Sequence, residues 1–233
     1  MAWAVLAAAL IGAGELVVHS GTVQGLDNHL TTVVAQHRGG PLNAAMKAVT
    51  WLGSWVALVA VGGAVVILVL RRRLPVAFLV LALVAWAGTQ GGTTLAKHVV
   101  QRPRPPPELR LVAAHGFSWP SGHTATAILV FSVLAVSVWL LTPSARWRVA
   151  AIAIGALGVV TVAFSRIELG VHWTTDVSAS IVFVSAWLCA LGLLVSHVCT
   201  QKGSHPGEPR TRLRWSYRSS ARMRASSGED PEG

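Results

Sequence analysis

Long apolar stretches divide this chain, and no other feature restricts its fold as much. A helix of about 20 apolar residues crosses the hydrocarbon core of a bilayer. The first stretch contains Glu15, and the other five contain no Lys, Arg, Asp or Glu. The pattern predicts an all-α protein, a bundle of six transmembrane helices over Ala2–Val18, Ala48–Leu70, Leu74–Ala96, Thr124–Leu141, Val149–Phe164 and Val177–Val198.

Composition excludes the main soluble classes. Charged residues make up 12% of the chain and hydrophobic residues 53%, whereas soluble domains carry about 25% charged residues. Disorder of the whole chain is excluded too, because it requires low hydrophobicity. A cleaved signal peptide is the alternative for the first stretch, but the basic segment that precedes such peptides is missing.

The formal net charge of +10 suggests either nucleic acid or a membrane surface as partner. Basic residues lie at the ends of apolar stretches or near the carboxyl terminus, so we predict a bilayer and no nucleic acid. Six spans place both termini on one side, together with Arg71–Arg73, Arg146 and Arg148. That side has twelve Lys and Arg residues against seven on the other. Because cytoplasmic loops are enriched in these residues, both termini should be cytoplasmic.

Two polar segments complete the predicted layout. Between the first two spans, apolar residues recur at roughly helical spacing, which predicts a short helix on the outer membrane surface, at Leu26, Leu30, Val33 and Val34. Residues 1–200 should form the membrane domain and residues 201–233 a disordered basic cytoplasmic tail. The tail is either simply solvated or attracted to anionic lipid of the inner leaflet.

Three groups of reactive residues fall on the predicted outer side. They are Lys97–Pro105, at the end of the third span, Pro120–His123, at the start of the fourth, and Ser165–Asp176, between the last two. Hydropathy and charge place them there without reference to any motif. A random scatter of polar residues would not collect on one face.

The same residues carry a family resemblance. Read in order, they give K-x6-R-P, P-S-G-H and S-R-x5-H-x3-D, which resembles the three-part signature of the type-2 phosphatidate phosphatase family. Eleven fixed positions match within Lys97–Asp176, about a third of the chain. Arg102-Pro103 is a second Arg-Pro pair, with a gap of four from Lys97 instead of six. The resemblance implies a six-span membrane enzyme that removes phosphate from lipids.

The residue types suit that chemistry. Lys97, Arg104 and Arg166 supply three positive charges for phosphoryl oxygens. Ser121 and Gly122 lie where the fourth span begins, and the free N–H groups of a helix start bind anions. Ser121 has an alternative role as a helix N-cap.

His172 and Asp176 are four residues apart and share one helical face. A carboxylate there holds one imidazole nitrogen and leaves the other as a nucleophile. The resemblance implies this role for His172, with a phosphohistidine intermediate, and makes His123 the general acid that later activates water. These roles require neutral His172 and protonated His123, so the rate should be bell-shaped in pH.

The other charged residues bear on whether the site uses a metal and on which residues touch the substrate. The acids between the first and last motif positions are Glu108, Glu168 and Asp176, too few for a two-metal phosphatase, so we predict neither a metal nor another cofactor. Arg102 and Arg110 either collect anionic substrate or are solvated loop charges. No role is assigned to Asp27, His29 or Glu15.

We therefore expect an integral-membrane phosphatase acting at the extracytoplasmic face on a lipid phosphomonoester or pyrophosphate, with a lean toward polyprenyl pyrophosphate or a phosphatidate-type lipid. One alternative is a non-catalytic protein on the same scaffold that binds or transports lipid phosphates. Another is halide oxidation with bound vanadate, as in related soluble proteins, although six spans disfavour it. The sequence does not predict an oligomeric state.

Overall fold

The computed structural model describes residues 1–202, and within them the ordered structure is helical, with no strand. The predicted tail lies outside this part of the chain except for its first two residues, which end the last helix. Two 3₁₀ turns, Thr50–Gly53 and Pro107–Leu109, accompany eight α-helices. These are α1 (Ala2–His19), α2 (Gly21–Gln36), α3 (Gly40–Val49), α4 (Trp55–Leu70), α5 (Val76–Val100), α6 (Gly122–Leu141), α7 (Ala145–Glu168) and α8 (Thr174–Lys202).

Five of these helices are long and apolar enough to cross a membrane: α1, α5, α6, α7 and α8. Their ends lie within a few residues of the predicted stretches. A sixth span exists if α3, the first 3₁₀ turn and α4 are taken together, with a bend of 44° between the halves. The all-α transmembrane bundle is thus confirmed.

The prediction of one continuous helix over Ala48–Leu70 is wrong. The helix breaks at Ser54, whose backbone is extended. The hydroxyl of Ser54 and its backbone N–H both donate to the carbonyl of Trp51, at 2.7 and 3.0 Å. These two bonds close a tight turn, and α4 then starts in a new direction.

Helix α2 occupies the segment in which a surface helix was predicted. Its buried residues are polar, Asp27 and Thr31, whereas Leu26 and Val33 are exposed. The face that α2 turns toward the protein is therefore the polar one. Its position on a membrane surface stays a prediction.

The main core lies where α1, α5, α6 and α8 meet. Trp119 is almost fully buried there, packed in one cluster with Leu10, Val100 and Phe183. Its indole N–H donates to the carbonyl of Leu10 at 3.1 Å. This bond ties the loop before α6 to α1.

Candidate active site

Lys97 joins the first motif to the second. It lies in the last turn of α5, and its ammonium group donates to the carbonyls of Phe117, Ser118 and Pro120 at 2.9, 3.4 and 2.7 Å. These carbonyls belong to the loop that leads into Pro120–His123. Carbonyl oxygens hold the lysine without neutralising its charge.

Arg104 joins the first motif to the third. Its Nε and Nη2 donate to the carbonyls of Gly116 and His115, both at 3.0 Å, and its Nη1 donates to the carbonyl of Val171 at 2.7 Å. The same Nη1 lies 3.1 Å from Nε2 of His172. The planar guanidinium is thus held by three carbonyls, and one of its nitrogens also faces the imidazole.

His172 is buried, and its two ring nitrogens have different partners. Nδ1 lies 3.2 Å from Oδ2 of Asp176, which also accepts the backbone N–H of Trp173 at 3.0 Å. A carboxylate only accepts, so Nδ1 carries the proton and Nε2 keeps a lone pair that faces Arg104. Burial lowers the pKa of His172 to about 3, against the opposing effect of Asp176 and with a further lowering from Arg104 and Lys97. The ring is therefore neutral at neutral pH.

A turn between α7 and α8 brings this histidine into place. Gly170 has a φ of 67°, and a Cβ there would lie 1.9 Å from the carbonyl oxygen of Leu109. Only glycine adopts this conformation in so little space. The chain then folds back so that the backbone N–H groups of Val171 and His172 both donate to the carbonyl of Arg166, at 3.2 and 3.3 Å.

Ser121 is the N-cap of α6. Its buried hydroxyl accepts the N–H of Thr124 at 3.4 Å and the hydroxyl of Thr124 at 2.9 Å, and its own N–H donates to the carbonyl of Asp176 at 3.1 Å. The N-cap alternative is thus what the geometry shows, and phosphate binding by Ser121 stays a prediction. Gly122 and His123 follow in the first turn, where backbone N–H groups have no partner within the helix. A Cβ on Gly122 would meet no protein atom within 4 Å.

Arg166 approaches the same place from α7. Its Nη1 donates to the hydroxyl of Thr50 at 2.5 Å, and its Nε is buried with no partner among residues 1–202. The broken helix is close by, since a Cβ on Gly53 would lie 2.5 Å from the carbonyl oxygen of His123. Arg166 interacts electrostatically with His123, as do Arg104 and Lys97. The break thus lies at the site.

Sequence reasoning missed Thr50. The signal was a group of small or hydroxylated residues, Thr50, Gly53 and Ser54, inside an otherwise apolar stretch. We call Lys97, Arg104 and Arg166 the cation cluster. Within the described part of the chain, none of the three lies within 4.0 Å of a carboxylate.

Arg102 differs from both roles considered for it. It is 4% exposed, so it is not a solvated loop charge and does not collect substrate. Its Nη1 donates to Oδ1 of Asp176 at 2.6 Å and its Nη2 to Oδ2 of Asp27 at 2.7 Å. Asp27, to which no role was assigned from the sequence, is 1% exposed. We call Asp27, Arg102 and Asp176 the ion network.

Arg110 and the predicted absence of a metal site remain to be compared with the structure. Arg110 is half-buried and donates to the carbonyl of Pro105 at 2.7 Å. Among residues 1–202, no group of three or more His, Cys, Asp or Glu side chains is arranged to hold a metal ion. The three motifs therefore meet as a set of cations, two histidines and one carboxylate.

Comparison with known proteins identifies the family. The family model described as the PAP2 superfamily matches residues 76–201, more than half of the chain. The chain belongs to the PAP2 superfamily. The resemblance drawn from the motifs is thereby confirmed, and the matched region contains all three motifs of this PAP2 protein.

Two relatives refine the comparison. An undecaprenyl-diphosphatase from Sulfolobus acidocaldarius is 34% identical over 85 residues, which are 36% of this PAP2 protein and 33% of the relative. The match thus spans about a third of the relative's length. A transmembrane PAP2-type phosphatidylglycerolphosphate phosphatase from Bacillus subtilis, solved by crystallography, has a TM-score of 0.63 and 25% identity over 88% of this chain and 95% of that one. This PAP2 protein is therefore a multi-pass membrane protein with the fold of a membrane lipid phosphatase.

Proposed function

We propose that this PAP2 protein hydrolyses a phosphomonoester or pyrophosphate of a membrane lipid, through a phosphohistidine on His172. One observation carries the proposal. The buried neutral imidazole is held through Nδ1 by Asp176, and its other nitrogen lies 3.1 Å from a guanidinium that is free of carboxylates among residues 1–202. A nucleophilic nitrogen beside a cation is what attack on an anionic phosphoryl group requires.

The steps follow from these positions. The cation cluster and the N–H groups that start α6 hold the phosphoryl oxygens. Nε2 of His172 attacks phosphorus, the bond from phosphorus to the leaving oxygen breaks, and His123 gives that oxygen its proton. Water then attacks the phosphohistidine, His123 takes a proton from the water, and the N–P bond breaks to release phosphate.

The cation cluster also supports a reaction without metal. Three positive charges neutralise the phosphoryl oxygens, the task that divalent ions perform in two-metal phosphatases. A divalent cation placed among them would be repelled. No cofactor is part of the proposal.

The substrate class rests on the relatives and on the membrane fold. One relative is named for a polyprenyl pyrophosphate and the other for phosphatidylglycerolphosphate, so a lipid that carries a terminal phosphate is the shared chemistry. The charge difference between the two sides of the predicted layout supports an active site on the extracytoplasmic face.

Phosphate release by the purified full-length protein in detergent tests the chemistry. The substrates are undecaprenyl pyrophosphate, phosphatidate and phosphatidylglycerophosphate, each with excess EDTA. We expect release by the wild type and by His98→Ala, a matched control at an exposed histidine, and none by His172→Ala. Tight lipid-phosphate binding without release by folded wild type would contradict catalysis and favour a binding or transport protein. Release that survives His172→Ala would contradict the nucleophile.

The orientation needs its own measurement. In a chain whose native cysteines are replaced by serine, His115→Cys places a thiol beside the site and Arg72→Cys places one at the opposite end. A membrane-impermeant maleimide added to intact cells should label the first and not the second. The reverse pattern would place the site in the cytoplasm.

A further inference from the structure

Asp27 lies in α2, a helix that carries none of the three motifs, yet its buried carboxylate accepts three hydrogen bonds. Oδ2 accepts Nη2 of Arg102 at 2.7 Å and the hydroxyl of Thr175 at 2.5 Å, and Oδ1 accepts the backbone N–H of Thr175 at 3.1 Å. Thr175 belongs to the first turn of α8 and directly precedes Asp176. A buried acid with this many partners is fixed in one position.

Arg102 connects this carboxylate to the histidine. One end of its guanidinium binds Asp27 and the other binds Oδ1 of Asp176, while Oδ2 of Asp176 faces His172. The rings of Trp119 and Trp173 lie 6.0 and 5.6 Å from the guanidinium carbon. The planar fork of arginine sets the angle between the two carboxylates, so the position of one constrains the other.

We propose that Asp27 is a positioning residue of the reaction, acting through Arg102 on Asp176 and so on His172. This inference rests on the proposed function. When Nε2 of His172 bonds to phosphorus, the ring becomes positively charged, and Asp176 stabilises it. Arg102 without Asp27 would direct its whole charge at Asp176 and oppose the charge that forms on the ring. Asp27 balances Arg102, so the negative charge of Asp176 remains available to the histidine.

The inference predicts a particular kinetic pattern. Asp27 contacts none of the groups that hold the phosphoryl oxygens, so its loss should lower kcat and leave KM unchanged. Asp27→Asn keeps the size of the side chain and removes its charge. We expect kcat to fall on the order of 10- to 100-fold, the range known for loss of a group that orients a metal-bound histidine through a hydrogen bond.

A double-mutant cycle separates this path from a structural role. Asp27→Asn, Arg102→Gln and the double variant are assayed for kcat per folded enzyme, with the folded fraction measured by size-exclusion chromatography. If Asp27 acts through Arg102, then Asp27→Asn has little further effect in the Arg102→Gln background. Thr175→Val is the matched control, because it removes a hydroxyl bonded to Asp27 and Arg102 without changing charge, and its kcat should fall much less.

Each outcome has a distinct meaning. Folded wild type that releases no phosphate contradicts the proposed function. Active wild type with an unchanged kcat for Asp27→Asn overturns the positioning role alone, and equal losses in both backgrounds overturn the path through Arg102. If Asp27→Asn does not fold, kcat and KM of Arg102→Lys are measured instead, because lysine keeps the positive charge but has no planar fork to hold both carboxylates. A lower kcat at constant KM supports the inference, and a wild-type kcat overturns it.

Discussion

The cation cluster and the ion network are neighbours, and each contains one of two arginines that lie only two residues apart in the sequence. Arg104, in the cation cluster, is held by carbonyl oxygens and an imidazole, so its charge is not cancelled. Arg102, in the ion network, lies between two carboxylates and is fully paired. The same residue type thus keeps an uncancelled charge in one setting and is paired with carboxylates in the other. The difference follows from what each guanidinium contacts.

The largest expected effect comes from breaking the ion network at its centre. Arg102→Gln leaves two buried carboxylates without their cation, and removing one partner of a buried pair costs about 3–5 kcal/mol. We therefore expect a much lower midpoint for denaturant unfolding in detergent. Arg110→Gln is the control, because Arg110 is half-buried and bonded to a carbonyl. Equal stability of the two variants would mean that the network does not support the fold.

Arg104→Gln should affect activity more than stability, the opposite of Arg102→Gln. The cation cluster has like charges close together, so losing one of them relieves repulsion and offsets part of the loss of three bonds to carbonyls. The unfolding midpoint should therefore fall much less than in Arg102→Gln. Phosphate release should nevertheless fall about 10²–10³-fold in kcat/KM, as when one donor to a developing oxyanion is removed. If Arg104→Gln is as unstable as Arg102→Gln but releases phosphate at the normal rate, then Arg104 supports the fold and not the reaction, which would contradict its assignment.

The low pKa of His172 predicts how kcat/KM depends on pH. A histidine of pKa 6.5 is only about 3% neutral at pH 5, whereas His172, with its pKa lowered to about 3 by burial, stays neutral there. The acid limb of kcat/KM that belongs to the nucleophile should therefore lie near pH 3, about 30-fold more activity at pH 5 than an ordinary histidine would allow. An acid limb near pH 6.5 would contradict the assignment.

The same shift predicts how stability depends on pH. His172 has a lower pKa folded than unfolded, so the unfolded chain binds a proton first as pH falls. The contribution of His172 is complete above pH 6.5 and is lost progressively between 6.5 and about 3. In His172→Asn, the loss of stability over that window should be smaller than in the wild type. Equal slopes would show that the ring is not buried as a neutral group.

These two regions were not equally predictable from the sequence. The motifs identify every member of the cation cluster, because K-x6-R-P and S-R-x5-H-x3-D specify residue types at fixed spacing. Hydropathy likewise predicts α5 to α8 to within a few residues, since lipid-crossing helices must be apolar for a set length. Asp27 was not predictable, because nothing near it distinguishes a buried acid from a solvated one. Only the packing of α2 places it beside Arg102, 75 residues along the chain.

Thr50 was missed for a different reason. A hydropathy scale treats threonine, glycine and serine as nearly neutral, so a stretch that contains all three still resembles a span. What breaks the helix is hydrogen bonding by Ser54, which is a matter of geometry rather than of mean hydropathy.

The smallest predicted effect tests that hydroxyl and joins the broken helix to the cation cluster. Thr50→Val keeps the shape of the side chain and removes the acceptor for Nη1 of Arg166. One hydrogen bond to a charged group contributes about 1.5–3 kcal/mol, so kcat/KM should fall at least about tenfold. Thr32→Val, at an exposed position of α2, is the matched control and should behave like the wild type.

Combining Thr50→Val with Arg166→Lys separates two roles for Thr50. If the hydroxyl orients Arg166 toward the phosphoryl group, Arg166→Lys alone should lower activity. Adding Thr50→Val should then lower it no further, since lysine has no planar fork to orient. If Thr50 only shapes the turn, the two losses should add and the unfolding midpoint of Thr50→Val should fall. The second result would remove the broken helix from the site and leave its bend as a feature of packing alone.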